Sequence, residues 1–166
     1  MGDTADNGGL WVRAMTAEDA GRVVEMIAAL SAHEGAPPPP MDREALIGWS
    51  LGREARFSAL VADIDGAVIG YALFHDGFHI GRGSPGTLLM DLFVEPAHRR
   101  RRVARALIAA VVRATVARGG DWITWQAHPR NVEALAFYES VGARRYAAAD
   151  YELADKALDA ILENGR

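Results

Sequence analysis

The chain has 166 residues, 50% of them hydrophobic and 24% charged, which suits one compact globular domain with a good-sized core. It holds no cysteine, which excludes disulfides, thiolate metal ligands and a cysteine nucleophile and fits a reducing cytoplasm. The net charge of −4 argues against general nucleic-acid binding, and no apolar run approaches the roughly 20 residues that a membrane span needs.

Residues 1–9 are small and polar, without an apolar signal core, and are expected to be disordered ahead of a domain spanning 10–166. Leu10 to Met15 reads as a first strand. Thr16 is a good helix N-cap with Asp19 three residues on, and a helix is expected to about Ala32, with Val23, Ile27 and Leu30 on one face and Gly35 at its end. Pro37 to Pro40 form a stiff stretch without ladder donors, either a plain connector or a loop bordering a site. Asp42 caps a shorter helix through Trp49 to about Gly52.

Phe57 to Asp63 and Ala67 to His75 read as strands joined by Asp65-Gly66, a strong hairpin signal. Asp76 to Gly86 reads as a glycine-rich loop, Thr87 to Val94 as a strand and Val103 to Arg118 as a helix. In that helix Val103, Leu107, Val111 and Ala114 form the stripe expected to face the sheet, and Gly119-Gly120 stops it. Asp121 to Ala127 reads as a strand, and Asn131 as the cap of a helix ending at Gly142. Arg144 to Ala148 and Asp150 to Leu153 read as a last strand pair, before a short helix carrying Leu158, Ile161 and Leu162. There is no internal repeat and no domain linker. Hairpins mixed with strand–helix alternation predict a mixed rather than wholly parallel sheet.

The segment from Thr87 to Val112 is the most informative. A buried strand runs through a turn into a helix whose first N–H groups lack partners, and Arg99, Arg100, Arg101 and Arg102 cluster there. Unpaired donors, the positive end of the helix dipole and guanidinium forks all attract phosphate, so this segment reads as a pyrophosphate site. Lys156 is the only lysine, so basic charge is nearly all arginine. A nuclear-type tract or nucleic-acid patch is the rival reading of the run, opposed by its place after a buried strand and by the acidic net charge.

Other patterns carry less. Gly81-Arg82-Gly83-Ser84-Pro85-Gly86 matches the dinucleotide pattern in letters, but Pro85 intrudes and a strand follows instead of a helix. His33, His75, His79, His98 and His128 have no ligand spacing, so no metal is expected. No serine sits in a nucleophile elbow. Trp122 and Trp125 read as packing groups. Asp91, between Met90 and Leu92 in an apolar strand, needs either a hydrogen-bond partner or a role toward a substrate amine or shuttling water. Tyr138, near the end of its helix, brings a phenol able to donate a proton.

The strand ending Asp91-Leu92-Phe93-Val94, the turn to Arg99, the helix after it and Asn131…Phe137-Tyr138…Gly142 resemble the GNAT superfamily of acetyl-CoA-dependent N-acetyltransferases. The resemblance covers about Leu10 to Leu162. The family's phosphate signature, Q/R-x-x-G-x-G/A, falls on Arg99, Arg100, Arg101, Arg102, Val103 and Ala104. Arg102 stands where glycine is usual; its side chain either crowds the loop or swings outward and leaves the amides usable. Within the superfamily the chain looks most like the spermidine/spermine and thialysine acetyltransferase branch, with Met90-Asp91 where that branch has Glu-Asp.

The resemblance implies a single-domain α/β (α+β) GNAT fold with a mixed, mostly antiparallel sheet of about six to seven strands flanked by helices. It implies an acetyl-CoA co-substrate, a small-molecule primary amine as acceptor, no metal, no nucleic acid or membrane partner, and a homodimer in the cytoplasm. The implied cofactor-binding residues are Leu92, Phe93 and Val94 along the pantetheine arm, Arg99 to Ala104 and Arg105 at the pyrophosphate, and Asn131. Tyr138 is the implied general acid, and Asp91 or Glu34 draws off the amine proton. His33, Glu34 and Asp91 are implied to line the amine site. The alternative is a degenerate module that binds acyl-CoA with little catalysis, motivated by Arg102 and Met90.

Overall fold

In the computed structural model, residues 4–6, 9–148, 151–154 and 156–164 are described. The chain packs as two compact units, Met1–Arg130 and Asn131–Arg166. The first unit contains a six-stranded sheet in the order β1 (Thr4–Asp6), β2 (Leu10–Ala14), β3 (Ser58–Ile64), β4 (Ala67–His79), β5 (Ser84–Val94) and β6 (Ile123–Thr124). All neighbours are antiparallel except β5 and β6. Between β2 and β3 lie α1 (Ala20–Glu34) and α2 (Arg43–Ser50), and between β5 and β6 lies α3 (Val103–Ala117). Within the segment 1–9, expected to lack order, residues 4–6 pair with Val12 to Leu10 as an edge strand.

The sheet is covered on both faces. Val103, Leu107, Val111 and Ala114 of α3 pack with Leu60, Ala72, Phe74, Leu89 and Val94, so the predicted stripe is the buried one. Val23, Met26 and Ile27 of α1 and Leu46 of α2 pack with Val61, Tyr71, Leu73 and Phe93. The strand residues alternate between these two cores, as the period of two requires. Buried Thr87 on β5 meets Thr115 on α3 through a 2.7 Å hydrogen bond that pins the helix to the sheet.

Local chemistry explains most boundaries. Asp65 (φ 52) and Gly66 (φ 84) form the expected tight hairpin. The cap on α1 reverses the expectation: Asp19 is the N-cap residue, and its carboxylate accepts from the N–H and hydroxyl of Thr16. Asp42 caps α2 by accepting from the N–H of Ala45. The expected loop from Asp76 to Gly86 is mostly sheet, because β4 runs on to His79 and β5 begins at Ser84. Its glycines make room: a Cβ at Gly86 would lie 2.2 Å from the Trp122 ring, and one at Gly77 3.1 Å from it. The strand expected over Asp121–Ala127 shrinks to Ile123–Thr124, since Trp122 is spent covering the hairpin and donates to Ser84 O.

The second unit holds α4 (Val132–Ser140) and α5 (Lys156–Asn164). Asn131 caps α4 by accepting from the N–H of Ala134, and Gly142 follows its end in the left-handed region. The expected strand over Arg144–Ala148 is not formed, and Tyr151–Leu153 is likewise without a ladder. Asp150, where the second of those strands was to begin, and the side chain of Leu158 lie outside the described residues. No helix among the described residues is long and apolar enough to cross a membrane.

Candidate active site

The decisive local feature is a bulge in β5. Leu73 pairs with Asp91 and Phe74 with Leu89, so Met90 is the extra residue. A bulge of one residue inverts the alternation of side chains beyond it. Leu89 accordingly packs on the α3 side of the sheet and Phe93 on the α1 side. Asp91 lies beyond the bulge, on the same side as Phe93. Paired residue for residue with no bulge, Met90 would oppose Leu73 and Asp91 would oppose Ala72, which would drive the carboxylate into the core under α3. Met90 itself is half exposed.

Asp91 is partly buried and has a partner on the neighbouring strand. The hydroxyl of Tyr71, a fully buried residue of β4, donates to Asp91 Oδ2 at 3.2 Å. The Tyr71 ring stacks on Phe93 with centroids 6.1 Å apart. Burial holds the Asp91 carboxyl above its ordinary range; the Tyr71 hydrogen bond pulls it back, and the negative charge of Glu34 pushes it up again. Burial likewise raises the Tyr71 phenol, helped by the charges of Asp91 and Glu34, so it stays a donor. Three groups from three elements thus converge: Asp91 from β5, Tyr71 from β4 and Glu34 from the last turn of α1. His33 is exposed on that same turn. Sequence reading missed Tyr71; its place opposite the bulge became visible only with the strand register.

Beyond the bulge β5 also has an open edge. Strand β6 meets β5 only at Thr87 and Leu88. From Leu89 to Val94 the side facing away from β4 carries no ladder among the described residues. The N–H of Glu95 donates to Ile69 O, which fixes the phase of the β4–β5 ladder. By that alternation the main-chain groups of Leu92 and Val94 face the open edge, while those of Phe93 face β4. Phe93 therefore contributes its ring to the inner face; its backbone does not meet the expectation of pairing with a cofactor arm. The carbonyl of Val94 accepts from Arg99 Nε at 3.2 Å, which straps the arginine turn to the strand end.

The turn then enters α3. Arg100 (φ 61) and Arg102 (φ 64) both adopt the left-handed conformation that glycine prefers, a strain of roughly 1 kcal/mol each for an L-residue. Arg102 is exposed and is the N-cap, without a side-chain cap hydrogen bond. The backbone thus keeps a glycine-like shape and the side chain swings outward. The first helical hydrogen bond is from Ala106 N–H to Arg102 O, so the N–H groups of Val103 and Ala104 precede the ladder and point out of the helix end. His98 Nδ1, in the short 3-10 turn Pro96–His98 before the arginines, is buried with no hydrogen-bond partner among the described residues. An open strand edge, an uncapped helix start and a cationic turn fit an extended amide-bearing arm ending in a diphosphate.

Asn131 and Tyr138 lie in the second unit. The Asn131 side-chain oxygen is committed to capping α4. Tyr138 is half-buried, its ring tilted against Phe137 with centroids 5.5 Å apart. No group of His, Asp and Glu among the described residues is arranged to hold a metal ion.

The match to known proteins follows the same outline. Residues 25–143 match the model of the acetyltransferase (GNAT) family, and the chain belongs to that family. An aminoglycoside N(6')-acetyltransferase type 1 of Salmonella typhimurium is 29% identical over 109 residues, covering 64% of this chain and 75% of that protein. The L-ornithine N5-acetyltransferase NATA1 of Arabidopsis thaliana is 30% identical over 80 residues, covering 48% of this chain and only 35% of the plant enzyme. An aminoglycoside acetyltransferase from an uncultured soil metagenomic sample, 19% identical, shares the fold with a TM-score of 0.74 over 90% of this chain and 99% of its own.

Proposed function

We propose that this protein is an N-acetyltransferase that moves the acetyl group of acetyl-CoA to a primary amine of a small molecule that carries further cationic groups. The observation that carries the reading is the pairing of Asp91 with an open strand edge on one side of a single bulge. The two similar curated proteins act, by name, on ornithine and aminoglycosides, both amine-rich. A diamine or polyamine acceptor, as the resemblance to the spermidine/spermine and thialysine branch implies, belongs to the same chemical class. Asp91 and Glu34 supply the negative charge that such a substrate seeks. The reading includes a homodimer in the cytoplasm, resting on the resemblance and on a chain without cysteine.

Acetyl-CoA supplies a thioester carbonyl that an amine attacks directly. The chain's own groups do the rest. The Leu92 and Val94 main chain binds the pantetheine arm as an added strand, and an N–H of this edge stabilises charge on the carbonyl oxygen. Amides of Arg100 to Arg105, with the arginine side chains, hold the diphosphate, and Asn131 contacts the arm. Asp91, raised by burial into a better range for a base, takes the ammonium proton directly or through one water. Glu34 and His33 border the amine. Tyr138 returns a proton to the departing thiolate.

A thiol-release assay with acetyl-CoA over diamines, ornithine and other amino acids, aminoglycosides and peptide N-termini tests the whole. Turnover is expected with acceptors bearing two or more amines. Acetyl-CoA binding with no thiol release from any acceptor would favour a sensor module instead. Replacing Tyr138 by Phe should lower kcat at least tenfold while the Kd for acetyl-CoA changes less than threefold. Equal turnover in that variant would remove Tyr138 from the mechanism.

A further inference from the structure

We propose that Tyr71 is a positioning residue for this site: its buried hydroxyl holds the Asp91 carboxylate in the pose from which it takes the proton of the acceptor amine. The inference rests on the proposed acetyl transfer and deepens it.

Tyr71 has a core residue's surroundings but carries a polar tip. Its ring is fully buried, stacked on Phe93 and packed with Leu73 and Met26 in the core under α1. A phenylalanine would fill that space equally well. The hydroxyl, however, has one described partner, Asp91 Oδ2 at 3.2 Å. A buried phenol without an acceptor is costly, so the pair is mutually required. The register supports this. Tyr71 lies opposite Phe93, two residues along β5 from Asp91 and on the same face, a diagonal that a tyrosine spans. The bulge takes up Met90 and leaves Asp91 on the face of Tyr71; the same residues paired without a bulge would put the carboxylate on the opposite face.

Two groups from neighbouring elements act on Asp91: Tyr71 from β4 and Glu34 from α1. They act in opposite senses. Burial and the Glu34 charge favour the protonated acid, which cannot accept a proton. The Tyr71 hydrogen bond favours the carboxylate, which can. Removing the hydroxyl leaves only the two influences that neutralise the base. A residue that merely filled the core would have no such effect.

The test is the Tyr71→Phe variant, studied by its pH profile. In kcat/KM against pH, the acidic limb belongs to the free enzyme's base. The limb is expected to move up by about one unit, so that activity on its slope falls about tenfold. A structural defect alone would lower kcat/KM by one factor at every pH and leave the limb in place, and that result would overturn the proposal. In the Asp91→Asn background, Tyr71→Phe should cost less than twofold; the full single-variant loss there would also overturn it. A carbon-13 NMR titration of the Asp91 carboxyl in both proteins gives the same answer without turnover. A titration unmoved by Tyr71→Phe sinks the proposal. An upward shift in a protein that acetylates no amine would keep the Tyr71–Asp91 coupling and discard the acetyl-transfer reading.

Discussion

Two clusters of carboxylates sit in the first unit, and they are opposite in character. In one, Arg13 on β2 bridges Asp19 at the start of α1, at 2.6 Å, and Asp63 near the end of β3, at 2.9 Å. Burial opposes the charge on Asp19, but hydrogen bonds from Arg13 and Thr16 outweigh it and hold the carboxyl below its ordinary value. In the other, Asp91 meets a neutral phenol and a second acid and is held above its ordinary value. In the first cluster both carboxylates are paired with the one guanidinium, which clamps two strands to a helix. The second has no paired cation among the described residues. On the proposed reading, an ammonium substrate would bring the positive charge that this second group of acids is not given.

The comparison breaks most sharply at Asp91 itself. Asp91→Asn keeps the shape and removes the base, and is expected to lower kcat/KM for the best amine about a hundredfold or more at pH 8, with acetyl-CoA binding little changed. A loss under threefold would place the base elsewhere. Arg13→Ala should do the reverse, sparing the pH profile and weakening the fold. Stranding two buried carboxylates costs about 2 kcal/mol, which lowers Tm by about 4–8 °C by calorimetry in a chain of this size. Because the folded Asp19 is depressed, its contribution is present at neutral pH and is lost as pH falls through its folded value, below about 4. The variant should therefore show a smaller deficit at pH 3 than at pH 7.

Asp91→Asn sharpens the contrast from the stability side. A carboxyl raised in the fold is a liability above its folded pKa, and the liability fades as pH drops toward the unfolded value near 4. The variant is expected to be about 1 kcal/mol more stable than the parent at pH 8 by urea unfolding, and no more stable at pH 4. The smallest effect is expected at Arg102. Arg102→Gly relieves left-handed strain of roughly 1 kcal/mol but frees the unfolded chain, so net stability should change by less than that. Its acetyl-CoA affinity, by titration calorimetry, should stay within about threefold of the parent, because the amides already hold the glycine-like shape.

The parts of this architecture that depend on local chemistry were legible in the residues. Asp65-Gly66 announces its turn, Asp42 and Asn131 their helices, and the stripe from Val103 to Ala114 its buried face. The arginine turn after Val94 was readable for the same reason. What escaped depends on contacts distant in sequence. Gly77 and Gly86 look like loop residues until Trp122 is laid across them. Asp91 could be singled out as a carboxylate needing a partner, but Tyr71 is 20 positions away and only the strand register names it. The main-chain direction of Phe93 depends on the phase of the ladder with β4, which no side-chain pattern records.

The extra residue in β5 has a further consequence, a matter of parity. Adding or trimming residue pairs at the Ile80–Gly83 tip, one from each arm, lengthens or shortens the hairpin and leaves the acid looking toward the same layer. Excising Met90 alone would let Asp91 follow Leu89 directly in a regular ladder, still opposite Leu73 and still on the layer of α1. The bulge thus absorbs one residue without moving the acid, and the same sequence paired residue for residue would turn the carboxylate to the layer under α3.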